Sequence, residues 1–137
     1  MIVVYAYVCG DIIHKGHLLY LESAKNLGDK LIVGVLTDKA IEERKKTPII
    51  SFDERCYVVK NLKMVDVVIA QETYSPIINI LITQPDIIVE SESHDTSLIS
   101  EVANAITCIN CRMVILPYFA DQSSTAIKKK IKEEKVS

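Results

Sequence analysis

Five short runs rich in valine and isoleucine, separated by segments with helical periodicity, constrain the fold of this chain most strongly. Each run is nearly continuous in apolarity, which is typical of parallel strands that are buried on both faces. The predicted strands are Ile2–Val8, Lys30–Leu36, Val65–Ala70, Asp86–Val89 and Arg112–Leu116. Because a strand–helix–strand unit has a right-handed crossover, its repetition predicts an α/β, Rossmann-like, doubly wound five-stranded parallel sheet. The length of 137 residues suits a single domain over residues 1–137.

The segments between these strands carry signals for the ends of helices. Ser51-x-x-Glu54 matches a capping box, and Ser75-Pro76 places a capping residue before a proline at the first helical position. We therefore expect helices over His17–Leu27 with Gly28 as the C-terminal cap, from Ser51 towards Leu62, from Ser75, over Ser97–Ile106, and from near Ser123–Thr125.

One long segment, Asp38–Ile50, shows no clear secondary structure in the sequence. Long loops in compact domains are usually functional. Arg44, Lys45 and Lys46 lie in this segment, so we expect a loop that contacts an anion, with a solvated charged surface as the alternative.

Composition and charge exclude several classes of protein. The net charge of −2 with interspersed signs disfavours a nucleic-acid partner, which would need a basic face. No apolar run has the length of a membrane span, and the run at the N-terminus lacks the basic segment of a signal peptide, so we expect a cytoplasmic protein without a membrane partner. Cys108-x-x-Cys111 is a lone pair, which we interpret as free thiols; a redox or metal role for it stays open.

The turn after the first predicted strand, residues 8–17, contains the densest set of functional residue types. Ligands of open α/β sheets bind beyond the carboxyl ends of the strands, and the start of a helix there offers free amides to an anion. Gly10 and Gly16 allow the backbone to approach a ligand, and His14 and His17 add further donors. This combination predicts a site for a triphosphate.

The residues of this turn also resemble a known family. His14-Lys15-Gly16-His17 is similar to the HxGH signature of the nucleotidyltransferase superfamily. Further similar elements, which extend the resemblance over essentially the whole chain, are Asp11-x-x-His14, Ala24-Lys25-x-Leu27-Gly28-Asp29, Val33-Gly34-Val35-x-Thr37-Asp38, Arg55, Val65-Asp66-Val67 and Ser123-Ser124-Thr125-x-Ile127. The chain resembles cytidylyltransferases of the glycerol-3-phosphate type, and in motif detail those associated with phosphonate metabolism.

The resemblance implies an HxGH nucleotidyltransferase fold and transfer of CMP from CTP to a small phosphate- or phosphonate-bearing acceptor, with release of pyrophosphate. It implies Mg²⁺ bound through the substrate phosphates rather than by protein ligands, and a homodimer. The implied catalytic residues are His14, His17 and Lys46. The implied nucleotide-binding residues are Val8, Cys9, Gly10, Asp11, Gly16, Arg44, Lys63, Glu92, Ser123, Ser124 and Thr125, and the implied acceptor-binding residues are Asp38, Arg55 and His94.

Three departures from the family pattern leave the substrates open. Val8 replaces the usual first glycine, Ser91-Glu92-Ser93-His94 replaces Gly-Asp-Asp-Trp, and Tyr118–Gln122 lacks the arginine that often precedes the Ser-Ser-Thr element. One alternative is an adenylyltransferase that uses ATP and a coenzyme precursor. A second is a non-catalytic module that binds a nucleotide.

Overall fold

A five-stranded parallel sheet forms the centre of the structure, a computed structural model that describes residues 1–118 and 128–132. The strands are β1 (Val3–Val8), β2 (Lys30–Leu36), β3 (Val67–Gln71), β4 (Ile87–Ser91) and β5 (Arg112–Leu116). Their order is β3-β2-β1-β4-β5, and every neighbouring pair is parallel. The predicted Rossmann-like class is confirmed, and the strand order reverses between β1 and β4.

Helices cover both faces of this sheet. They are α1 (Lys15–Lys25), α2 (Asp38–Glu42), α3 (Phe52–Lys60), α4 (Ile77–Thr83) and α5 (Thr96–Ala105), followed by a 3₁₀ turn over Ile106–Cys108. Residues 128–132 are also helical, while the predicted start of that helix, Ser123–Thr125, lies outside the described residues. None of the helices in the described ranges has the length and apolarity that crossing a bilayer requires.

Alternating side chains of β1 supply both halves of the core. Val4, Ala6 and Val8 pack on the face covered by α1 and α3, whereas Tyr5 and Tyr7 pack on the face covered by α4 and α5. A strand buried on both faces has to be apolar at consecutive positions, which explains the continuous apolar runs of the sequence.

Three sequence-based expectations about helices are wrong. Ser75 is not the N-cap of α4 and Pro76 is not its first helical residue, because Pro76 is the N-cap and the helix begins at Ile77. The segment Asp38–Ile50 is not without structure, because it begins with α2, whose N-cap Thr37 accepts a hydrogen bond from the amide of Ala40 at 3.1 Å. A helix of five residues is too short to show periodicity in the sequence. Gly28 does not cap α1, since the C-cap is Asn26; a Cβ atom on Gly28 would lie 2.7 Å from the carbonyl oxygen of Ile2.

Two strand boundaries differ from the predictions by two residues. β3 begins at Val67 rather than Val65, because Asp66 accepts the amide of Leu31 at 2.8 Å before the strand starts. β4 continues to Ser91, two residues beyond the predicted end at Val89. The extension places an acidic residue, Glu90, inside the sheet.

Candidate active site

The turn between β1 and α1 lies at the carboxyl edge of the sheet, beside the point where the strand order reverses. Gly10 has a φ of 75°, a conformation that residues with a side chain rarely adopt. The backbone can therefore bend sharply between the buried Val8 and the start of α1. A reversal of strand order opens a crevice in α/β sheets, and ligands bind there.

His14 and His17 form a reciprocal cap at the start of α1. The amide of Gly16 donates to Nδ1 of His14 at 3.0 Å, and the amide of His14 donates to Nδ1 of His17 at 3.2 Å. The two ring centroids lie 4.1 Å apart. Because each Nδ1 accepts a hydrogen bond, each neutral imidazole carries its proton on Nε2. The pair therefore presents two Nε2–H donors at the start of α1, where the amides of Gly16, His17 and Leu18 already have their acceptors in His14.

The pKa of each histidine favours this neutral form. Burial, with smaller contributions from the charges of His14 and Lys45, lowers the pKa of His17 to about 4. Burial also lowers the pKa of His14. Both imidazoles are thus neutral at pH 7 and donate through Nε2 without taking up a proton first.

Asp11 joins three segments of the chain at this turn. Its Oδ1 accepts hydrogen bonds from the amides of Ile49 at 2.9 Å and Ile50 at 2.8 Å, and its Oδ2 contacts Nζ of Lys128. Burial alone would raise the pKa of Asp11, but the amide of Ile50 and the ammonium of Lys128 outweigh burial and hold it below the usual value. The sequence predicted a nucleotide contact for Asp11, whereas both of its carboxylate oxygens have protein partners.

Arg55 also binds the backbone of this turn. Its guanidinium is fully buried and donates to the carbonyl of Ile50 at 3.0 Å, to the carbonyls of Cys9 and Leu36 at 2.6 Å each, and to Asp38 at 2.6 Å. A direct contact of Arg55 with an acceptor, which the resemblance implied, does not fit this placement because the guanidinium has no exposed surface. Asp38 keeps half of its side chain exposed.

The three consecutive cationic side chains after α2, those of residues 44–46, have different surroundings. Arg44 lies over the ring of Tyr74, with its Cζ 5.0 Å from the ring centroid. The charge of Lys45 reaches the histidine pair, since it contributes to the low pKa of His17. Lys46 is exposed and makes no ion pair with any residue of the described ranges. Lys45, whose charge acts on His17, is therefore a second candidate beside Lys46, and a phosphate contact of either lysine stays a prediction.

The remaining predicted nucleotide contacts are dispersed. Lys63 lies in the connection from α3 into β3, at the amino edge of the sheet, so the structure does not bring it to the histidines of the same chain. Glu92 is exposed in the turn after β4. Ser123, Ser124 and Thr125 lie outside the described residues, and their phosphate contacts stay predictions.

A carboxylate–imidazole pair lies across the strand reversal, at the end of β4. Glu90 is fully buried, and its Oε2 lies 2.6 Å from the hydroxyl of Tyr7 and 2.5 Å from Nδ1 of His94. Burial and the charge of Glu90 raise the pKa of Tyr7, so its hydroxyl keeps a proton to donate. Glu90 was not predicted as a site residue, because an acidic residue after an apolar run usually marks the end of a strand. In the structure β4 continues through Glu90 to Ser91, and both residues are buried.

The fold and the paired histidines define a nucleotidyltransferase domain of the α/β class. The family described as cytidylyltransferase-like matches residues 8–130, and the chain belongs to that family. This finding confirms the resemblance that the HxGH residues indicated.

Individual relatives agree with this assignment. FAD synthase of Thermococcus sibiricus is 41% identical over 125 residues, which cover 88% of this chain and 83% of that protein. The bifunctional protein HldE of Helicobacter acinonychis is 36% identical over 133 residues, 95% of this chain, and the chain spans only 27% of the length of HldE.

Solved structures share the fold. The lipopolysaccharide core biosynthesis protein of Thermoplasma volcanium superposes with a TM-score of 0.74 at 30% identity, covering 85% of this chain and 96% of that one. TmcAL of Thermotoga maritima, with bound alpha-thio ATP, has a TM-score of 0.77 over 98% of this chain and 51% of that one. Its identity of 16% shows a common fold alone.

Proposed function

We propose that this protein is an enzyme that transfers CMP from CTP to a small acceptor bearing a phosphate or phosphonate group, with release of pyrophosphate. The observation that carries this proposal is the locked orientation of His14 and His17, whose Nδ1 atoms accept backbone amides. Two Nε2–H donors and the start of α1 then act together on a triphosphate in the crevice.

The proposed reaction needs positioning and charge stabilisation more than covalent catalysis. An oxygen of the acceptor attacks the α-phosphorus in line; the new O–P bond forms as the bond to the pyrophosphate oxygen breaks. The histidine donors stabilise the charge that develops on the leaving pyrophosphate. Removing one preorganised donor typically lowers a rate by about 10²–10³-fold.

We propose that Mg²⁺ takes part and is bound mainly by oxygens of the substrate phosphates. Within the described residues, no group of three or more potential metal-binding side chains occurs, and the carboxylate of Asp11 is occupied by two amides and Lys128. Mg²⁺ usually binds nucleotides through phosphates with few protein ligands. Bound there, it would supply positive charge that neutralises part of the charge of the phosphates.

An adenylyltransferase is the alternative that a specific observation favours. The 41% identity to an FAD synthase covers most of both chains. The segment Ser91–His94, which replaces the Gly-Asp-Asp-Trp of cytidylyltransferases, removes the sequence signal for cytosine. In this alternative ATP is the donor and a coenzyme precursor such as FMN or pantetheine phosphate is the acceptor.

A pyrophosphate-release panel separates these functions. The panel crosses CTP, ATP, GTP and UTP with glycerol 3-phosphate, 2-aminoethylphosphonate, phosphocholine, phosphoethanolamine, sugar phosphates and FMN. Turnover with CTP and one phosphate or phosphonate is the expected result. Turnover with ATP alone would replace the cytidylyl assignment. Nucleotide binding without pyrophosphate from any combination would indicate a non-catalytic module.

A further inference from the structure

The guanidinium of Arg44 is oriented by its neighbours but makes no hydrogen bond. Its Cζ lies 5.0 Å from the centroid of the Tyr74 ring, and its Nη1 lies 4.0 Å from Oδ2 of Asp95, which is too far for a hydrogen bond. No other polar contact of this guanidinium occurs within the described part of the chain. Because an arginine carries five N–H donors in one plane, the ring of Tyr74 fixes the plane while the donors stay available.

The order of the strands determines where the contact between Arg44 and Asp95 lies. Arg44 comes after β2 and Asp95 comes after β4, while β1 lies between these two strands. The contact therefore crosses the carboxyl end of β1, where the strand order reverses and where ligands of α/β sheets bind. The turn that leads to His14 starts from the same end of the same strand.

Arg44 and its neighbour Lys45 have partners from opposite faces of the sheet. Tyr74 packs against the apolar cluster that α4 and α5 cover, and Asp95 is the N-cap of α5. The charge of Lys45 instead acts on His17 of α1, the helix that packs on the other face. A ligand that lies across the end of β1 would therefore have the histidines and Lys45 on one side and Arg44 on the other.

The proposed reaction requires positive charge for the acceptor as well as for the triphosphate. A phosphate or phosphonate is an anion, and it has to approach the α-phosphorus of another anion against the repulsion of like charges. Lys128 is already paired with Asp11. Of the three arginines of the chain, Arg55 is fully buried and Arg112 lies at the amino end of β5. Among these three, Arg44 is the one that offers open guanidinium donors at the carboxyl edge.

We propose that Arg44 binds the anionic group of the acceptor rather than the nucleotide, and that this group takes the place of Asp95, an inference that rests on the proposed function. Two oxygens of the acceptor bind the planar donors of the guanidinium, and a third oxygen stays free to attack the α-phosphorus. The side chains of Arg44 and Asp95 are 38% and 58% exposed. An ion pair this exposed contributes little to stability, so the acceptor displaces Asp95 at low cost.

The residues around Arg44 hold its position without depending on its charge. Oε2 of Glu43 accepts the amide of Tyr74 at 3.2 Å, which ties the loop after α2 to the loop after β3. Oδ1 of Asp95 accepts the amide and the hydroxyl of Ser97 at 2.9 Å each, so Asp95 caps α5 whether or not Arg44 stays beside it. Substitutions of Arg44 should therefore leave both loops folded, which urea unfolding of each variant verifies.

The first test compares the Michaelis constants of the two substrates, for the nucleotide and acceptor that release pyrophosphate fastest in the panel. Arg44→Gln should raise the KM of the acceptor by about tenfold or more and change the KM of the nucleotide by less than about twofold, because only the acceptor loses a charged partner. Arg44→Lys keeps the charge without the planar pair of donors and should give an intermediate acceptor KM. A nucleotide KM that rises as much as the acceptor KM, or more, would overturn the proposal.

Two further variants control this comparison. Arg112→Gln removes the same charge at the amino edge of the sheet and should leave both Michaelis constants unchanged. Asp95→Asn retains a good N-cap for α5 but removes the competing charge, so it should lower the KM of the acceptor by up to about fivefold. An acceptor KM that is unchanged or higher in Asp95→Asn would overturn the exchange of Asp95 for the acceptor.

A binding measurement without turnover separates this inference from the proposed function. In ¹H–¹⁵N spectra of the arginine side chains of the full chain, inorganic phosphate should shift the Nε–H signal of Arg44 and leave that of Arg112 in place. If phosphate shifts Arg44 but no combination of nucleotide and acceptor releases pyrophosphate, the proposed function fails while the anion site stands. If pyrophosphate is released, but phosphate does not shift Arg44 and Arg44→Gln keeps the acceptor KM of the wild type, this inference fails while the proposed function stands.

Discussion

The carboxylate of Asp11 contacts the ammonium of Lys128, so the turn after β1 is bound to the helical residues 128–132. The same carboxylate accepts the amides of Ile49 and Ile50. One side chain thus holds the sharp turn, the loop after α2 and the last described helical segment together.

Two substitutions of Asp11 should distinguish the contribution of its hydrogen bonds to stability from the contribution of its charge. Asp11→Ala removes both and should lower the free energy of unfolding by about 3 kcal/mol, because hydrogen bonds to charged groups contribute about 1.5–3 kcal/mol. Asp11→Asn keeps an oxygen acceptor for Ile49 and Ile50 and should cost about half as much. Urea unfolding measures both. The exposed Glu101→Gln is the control, and equal losses for the two Asp11 variants would show that the charge alone matters.

The second prediction separates the capping role of His14 from its role as a donor. Asparagine is a good N-cap residue, so His14→Asn should retain the hydrogen bond from Gly16 and change the free energy of unfolding by less than about 1 kcal/mol. It lacks the Nε2–H group, and we expect kcat to fall by about 10²–10³-fold. Pyrophosphate release and urea unfolding measure the two effects.

His14→Ala is the matched comparison for that variant. Alanine removes the cap as well as the donor, so it should lose a further ~1 kcal/mol of stability with a similar loss of kcat. If His14→Asn turned over at the wild-type rate, the imidazole would have no part in the reaction.

The third prediction concerns the dependence of stability on pH. The pKa of His17 is about 4 in the folded protein against 6.5 for the ordinary side chain, so below pH 6.5 the unfolded chain binds a proton that the folded protein refuses. Stability should therefore fall as the pH is lowered from about 6.5 to 4, by up to about 3 kcal/mol from this residue. Urea unfolding at several pH values measures the slope.

His17→Asn provides the control for this window. The variant keeps a side-chain acceptor near the amide of His14 but cannot titrate, so its slope should be smaller. The slope should not vanish, because burial also lowers the pKa of His14. An unchanged slope would mean that His17 is solvated and protonates normally.

The fourth prediction distinguishes Lys45 from Lys46. Lys45→Met removes a positive charge that lowers the pKa of His17, so this pKa should rise, whereas Lys46→Met should leave it unchanged. Histidine NMR titration measures both. We also expect Lys45→Met to raise the nucleotide KM by roughly tenfold, the equivalent of about 1.4 kcal/mol. A larger effect from Lys46 would restore the assignment made from the sequence.

The fold could be predicted from the sequence because buried parallel strands need continuous apolar runs and helices need caps. The cap of α3 shows this: the hydroxyl of Ser51 accepts the amide of Glu54 at 3.3 Å, which is one of the two hydrogen bonds of the predicted capping box. The turn with His14 and His17 was also found, since glycines and histidines between a strand and a helix are a local pattern.

The partners of the functional residues could not be predicted in the same way. Arg55 and Cys9 are 46 positions apart, and Glu90 and Tyr7 are 83 positions apart, so only the folded sheet brings them together. Burial also determines whether a charged side chain binds its own chain or is accessible to a ligand. A buried arginine binds carbonyls of its own chain, although its sequence position resembled that of a substrate contact.

The four contacts of Arg55 cross-link one part of the carboxyl edge of the sheet. Its guanidinium binds three carbonyls and one carboxylate at once, and a neutral side chain there would leave these acceptors unpaired. Within the described residues, the segment after β4 lacks such a cross-link, and His94 is held there by its near neighbour Glu90 and by Tyr7. Engineering of new substrate ranges should therefore begin at β4, where exchanges leave the contacts of Arg55 intact.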